Sequence, residues 1–121
     1  MAAPTSVARI NKGENFIYRR FLKDKTLTGI AVGSVVSFVA EIRQAGQTLA
    51  TLTYPSANCR QAAGTVTNFQ YIIEIEIVQA TSALFQKGDV FIRTTAVAPD
   101  SDFITDVNQK RVEEKLLAVV E

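Results

Sequence analysis

Residues 69–78 read FQYIIEIEIV, and this alternation constrains the fold more than any other part of the chain. Phe69, Tyr71, Ile73, Ile75 and Ile77 fall on one face of an extended segment, and Gln70, Ile72, Glu74, Glu76 and Val78 fall on the other. A period of two with one apolar and one charged face is a half-buried strand; a helix would scatter the isoleucines around its circumference. Glu74 and Glu76 share the outward face and are expected in solvent. Val, Ile and Thr number 13, 10 and 12 of 121 residues, so stiff β-branched side chains that pack well on a pleated surface dominate the apolar inventory.

Further strands follow from the same pattern. In residues 35–43, VVSFVAEIR, the inner face is Val36, Phe38, Ala40 and Ile42, with Ser37, Glu41 and Arg43 outside. The link Gln44-Ala45-Gly46-Gln47 leads to a second β-rich run over 48–54, which predicts a hairpin. NFIYRRFL at 15–22 is strand-like, but the adjacent Arg19 and Arg20 break its alternation and allow a bulge. DVFIRTTAVA at 89–98 is another strand, introduced by the turn Lys87-Gly88-Asp89. Gly29, Gly46 and Gly88 are the expected turn glycines. Residues 55–68 read as a long polar connection, and 79–86 as a short helical turn. The tail, NQKRVEEKLLAVVE, fits either a helix, on propensity, or a strand, on context; so short a run does not decide between them. The organisation expected is an N-terminal arm over 1–12 followed by one all-β domain over 13–121, since 121 residues suit a single core.

The composition excludes several chemistries. With no histidine and one cysteine, the chain holds no His-based triad, no Cys–His dyad, no His-ligated or four-cysteine zinc site and no internal disulfide. No GxxxxGK[ST] or GxGxxG occurs. Arg60 beside Cys59 favours a thiolate, yet an ordinary loop or half-buried thiol is expected there. Glu14, Arg19, Arg20 and Glu41 could be drawn into a polar cluster, against a default of solvated surface. No catalytic residue, cofactor or metal site is expected. A net charge of +1 leaves no electrostatic footprint for nucleic acid, no apolar run is long enough to span a membrane, and the first residues lack the apolar core of a signal peptide.

The order of features resembles a small phage structural domain, the immunoglobulin-like module at the N-terminus of siphophage baseplate upper proteins and related tail proteins. The residues that carry the likeness are Lys12-Gly13-Glu14 before Phe16, then Leu27-Thr28-Gly29, then Ile42-Arg43 closing a strand. Thr81 to Leu84 follows, then Gly88 and the strand bearing Phe91. The likeness spans about residues 10–98. Ile30-Ala31-Val32-Gly33 stands as an insertion, and Asp24-Lys25-Thr26 as a shortened turn.

The resemblance implies an antiparallel immunoglobulin-like β-sandwich that works in assembly. It would be a non-enzymatic component of a virion tail or neck, made in a bacterial cytoplasm. Its partners would be other phage structural proteins or further copies of itself. The tail places Leu116, Leu117, Val119 and Val120 within five residues, so that segment either closes the sandwich or lies in a subunit interface. A carbohydrate- or host-surface-binding module is the alternative, with Tyr54, just before Pro55, as the candidate surface aromatic. A phage accessory protein that inhibits a host factor is a second alternative, and no residue selects it.

Overall fold

A computed structural model describes residues 8–24, 27–100 and 102–121. Among these, eight strands form two facing sheets: β1 (Ala8–Ile10), β2 (Phe16–Phe21), β3 (Ser37–Gln44), β4 (Gln47–Thr53), β5 (Cys59–Gln61), β6 (Ile72–Ile77), β7 (Gly88–Pro99) and β8 (Asn108–Val120). One sheet has the order β1-β8-β7-β3-β4 and the other β2-β6-β5. Pairing is antiparallel throughout except for β1, which runs parallel to β8. This is an all-β sandwich. One layer has three strands, and the larger layer is built on the last two strands and the third. The inter-sheet disulfide and buried tryptophan of antibody domains have no counterpart, because the chain has one cysteine and no tryptophan.

The core lies between the layers. Ile73, Ile75 and Ile77 from β6 are fully buried with Phe38, Ala40 and Ile42 from β3 and Val90 and Ile92 from β7. Each of the Ile, Val and Phe side chains contributes about 1.5–3 kcal/mol by leaving water. Phe85 closes one end beneath the loop after α1 (Gln79–Ser82), the expected helical turn. Gln44 fastens that loop: its amide donates to the Gln86 carbonyl and accepts from the Gln86 N–H, both at 2.7 Å. The buried glutamine thus behaves as a short extension of the ladder, with both its polar atoms satisfied.

Several expectations change. Phe69 and Tyr71 do not continue the β6 face, because residues 69–71 form a 3-10 turn after a left-handed Asn68. Val36 precedes β3 and is 60% exposed, whereas Phe38, Ala40 and Ile42 face inward as expected. The Arg19-Arg20 pair causes no bulge, since β2 keeps an unbroken register with β6. The bulges fall elsewhere, between Ile42 and Arg43 in the β3–β4 pairing and between Val90 and Phe91 in the β7–β8 pairing. The second leaves Leu117 without a partner and lets both Leu117 and Ala118 turn inward, which hides the period of two in the tail. The tail is a strand, not a helix. The connection 55–68 contains β5, which is too short to announce itself. Of the expected arm, Ala8–Ile10 is a strand with Ile10 buried, and residues 1–7 lie outside the described residues.

The β3–β4 hairpin turns through Ala45 at φ 52° and Gly46 at φ 76°, the two left-handed positions of a type I′ turn. Gly88 also has a positive φ, whereas Gly29 does not; a Cβ at Gly29 would stand 3.1 Å from the Tyr71 ring. An L-residue in the left-handed region costs about 1–2 kcal/mol unless it is asparagine or aspartate. Ala45→Asn is therefore expected to raise the stability by up to about 1 kcal/mol, and Gly46→Val to lower it, in urea titrations; the opposite order would refute this turn.

Candidate interaction edge

β8 is the longest strand, and only part of it is covered. β7 pairs with it from Asn108 to Val120, while β1 covers only Ala118–Val120 on its other side. Among the described residues no strand lies beside Asn108–Leu117 on that outer side. Register with β7 sets the faces. Gln109, Arg111, Glu113 and Lys115 stand opposite Ala98, Ala96, Thr94 and Ile92, and so point towards the second sheet. Lys110, Val112, Glu114 and Leu116 stand opposite Val97, Thr95, Arg93 and Phe91, and so point away from it.

β2, an edge strand of the smaller sheet, flanks the same side. Arg20 crosses between the layers and donates to the Thr94 hydroxyl and the Glu113 carboxylate. Arg111 donates to the Lys23 carbonyl at 2.8 Å. A groove of about 360 Å³ runs between the two edges, lined by Tyr18, Arg20, Lys23, Arg111, Glu113 and Lys115 among others. Burial raises the Tyr18 phenol above its ordinary 10.0; Arg20 pulls it down and Glu113 pushes it up. The groove is thus basic, with its single carboxylate already held by Arg20.

The outer face of the smaller sheet carries a row of charges in register. Arg19, Glu74 and Arg60 stand side by side across β2, β6 and β5. Glu74 accepts from Arg19 at 3.3 Å, from Arg60 at 3.4 Å and from the Ala63 N–H at 3.4 Å. It is 5% exposed, which corrects the expectation of a solvated carboxylate: the chain after β5 folds over it, and two guanidiniums replace its water. Glu76 is partly exposed and pairs with Arg60 at 3.0 Å. Glu14, Arg19, Arg20 and Glu41 are not brought together. Glu14 accepts from the Asn11 N–H, Glu41 from Thr48, and each arginine has its own carboxylate.

The residues singled out in the sequence separate by depth. Leu117 and Val120 are buried in the core, while Leu116 and Val119 are half-buried. Tyr54 is half-buried against the core at the end of β4. Cys59 is fully buried on β5, and burial pushes its thiol up to about 11, the opposite of what its neighbour Arg60 would do. Lys110 to Lys115 lie in the tail expected to close the sandwich or form an interface, but they are not among the apolar residues that mark it. Their signal was a strand charged on both faces, which is how an edge strand reads, and helix propensity masked it. At the loop end of the sandwich, Asp24 accepts from the Thr28 N–H and Asp100 from the Asp102 N–H, each at 2.9 Å. Among the described residues no group of three or more His, Cys, Asp or Glu side chains could hold a metal ion, and no helix is long and apolar enough to cross a membrane. No family model matches the chain, and no curated protein matches it in sequence.

Two outcomes follow. Glu74→Lys would place a third cation between Arg19 and Arg60, and breaking a buried ion pair costs about 3–5 kcal/mol. It is expected to lower the urea midpoint far more than the exposed change Glu114→Lys; equal midpoints would refute the buried row. The raised Cys59 thiol favours the folded state while protonated, so its contribution is complete below pH 9.0, the ordinary value, and is lost as the pH rises through about 11. A thiol reagent at pH 8 should therefore label Cys59 only on unfolding; rapid labelling of folded protein would contradict its burial.

Proposed function

We propose that this chain is a structural component of a phage or prophage virion, in the tail or neck, whose work is assembly through protein–protein contacts rather than turnover. The observation that carries this reading is the uncovered edge of β8. A row of backbone donors and acceptors along Asn108–Leu117 that no strand among the described residues pairs with is a template for another chain. Natural proteins blunt such edges with charges, prolines, bulges or a covering loop; this one carries charges and the bulge at Leu117, but among the described residues no strand covers Asn108–Leu116 on its outer side.

The reading draws on the resemblance to a phage structural module, which calls for an all-β sandwich. The residues carrying the likeness occupy turns and strand ends of the sandwich. Gly13, at φ 86°, lies between β1 and β2; Gly29 lies between β2 and β3; Ile42 and Arg43 flank the bulge near the end of β3; Thr81 is in α1; Gly88 opens β7. The charged side chains supply further support. Arg19, Arg20, Arg60 and Glu74 are spent on holding strands and layers together, leaving none of them free to do acid–base work.

The test is direct. Particles released from the host that carries this sequence should contain the chain, and antibody against it should label their tails or necks in electron micrographs. Its absence from the particle proteome, or measurable turnover of a metabolite by the pure protein, would overturn the proposal.

A further inference from the structure

We infer that a second copy of this chain occupies the outer edge of β8, beside which no strand lies among the described residues before Ala118, with two β8 strands pairing antiparallel about a two-fold axis at Val112. This inference rests on the assembly reading above and names one partner for it.

The sequence Lys110-Arg111-Val112-Glu113-Glu114 has a charge order that inverts about its centre. In an antiparallel pair centred on Val112, Lys110 stands opposite Glu114 of the second copy, and Arg111 opposite its Glu113. Directly opposed residues lie on one face, so the Lys110–Glu114 pairs flank the two valines on the outer side. Val112 is 55% exposed, an apolar residue left bare at the middle of the edge. Among the described residues Lys110 has no ion pair within its own chain, and Glu114 reaches Arg93 only at 3.9 Å. Their charges are available to the second copy.

Position agrees with charge. The paired stretch runs from Asn108 to Leu116 on each copy, and it ends before Ala118–Val120, where β1 already sits. The centre of the uncovered stretch and the centre of the charge inversion coincide. The charges also select this register against its neighbours. Centred on Glu113, the strands would set Glu113 against Glu113 and Arg111 against Lys115. Centred on Arg111, they would set Arg111 against Arg111. A parallel pairing in register would oppose like charges along its whole length. Charges placed only to block pairing would need no such order. The nearby arginines do not upset the balance, because Arg20 is held by Glu113 and Thr94, and Arg19 by Glu74.

A two-fold axis makes every contact twice, so one reversal alters two pairs. Sedimentation velocity of the pure full chain over a concentration series tests the inference, with circular dichroism confirming that each variant is folded. The wild type is expected to shift from one to two chain masses as concentration rises. Lys110→Glu and Glu114→Lys, each alone, should weaken self-association by about tenfold or more. The double variant Lys110→Glu/Glu114→Lys restores opposite pairing and should recover the wild-type behaviour. An equimolar mixture of the two single variants should form a heterodimer. A wild type that remains monomeric overturns this inference and leaves attachment to other virion proteins to the particle experiment. A dimer that both single variants form as well as the wild type overturns the register.

Discussion

The sandwich depends on one apolar row. Ile73, Ile75 and Ile77 are the inward side of the central strand of the smaller sheet, and all three are fully buried. Against them stand Phe38, Ala40 and Ile42 from β3 of the larger sheet. This row sets which way β6 faces, and through its register it sets the faces of β2 and β5. A slip by one residue would send Glu74 and Glu76 into the core, where two unpaired carboxylates would cost a large part of a typical domain's stability of about 5–15 kcal/mol.

The polar residues follow from that choice. Once β6 faces inward with its isoleucines, Glu74 must lie on the outer side, where Arg19 and Arg60 arrive beside it from the neighbouring strands. On the inner side, the layers separate towards the flank formed by β2 and β8. There the contacts become polar: Arg20 with Thr94 and Glu113, Arg111 with the Lys23 carbonyl. This flank is thus closed by polar bonds, and among the described residues no strand lies on the outer side of β8 over Asn108–Leu117. That stretch is the feature on which the assembly proposal stands.

Much of this was legible in the sequence, and the failures have physical causes. The alternation in 72–77, the β3–β4 hairpin and the strand at 89–98 were clear because apolar residues alternate with polar ones along each. The tail was ambiguous because the bulge at Leu117 puts two consecutive residues in the core, so neither a period of two nor one of 3.6 describes it. Glu74 was misplaced because a carboxylate on an outer face is solvated unless something covers it, and that cover comes from the far end of β5. β1 and β5 span three residues each, too few for any periodicity. The charge inversion about Val112 is present in the sequence, but it acquires meaning only once β8 is known to be a strand with, among the described residues, no neighbour on one side of Asn108–Leu117.

Backbone hydrogen exchange, read residue by residue at two protein concentrations, tests the central claim most directly. In dilute protein, β6 and the β7-facing amides of β8 should be the slowest to exchange, while the outward amides between Asn108 and Leu116 should exchange as exposed groups do. Concentrating the protein should slow those outward amides and leave β4, the other long free edge of the same sheet, unchanged. Outward β8 amides already protected at dilution, or a gain of protection at β4 instead, would contradict the account.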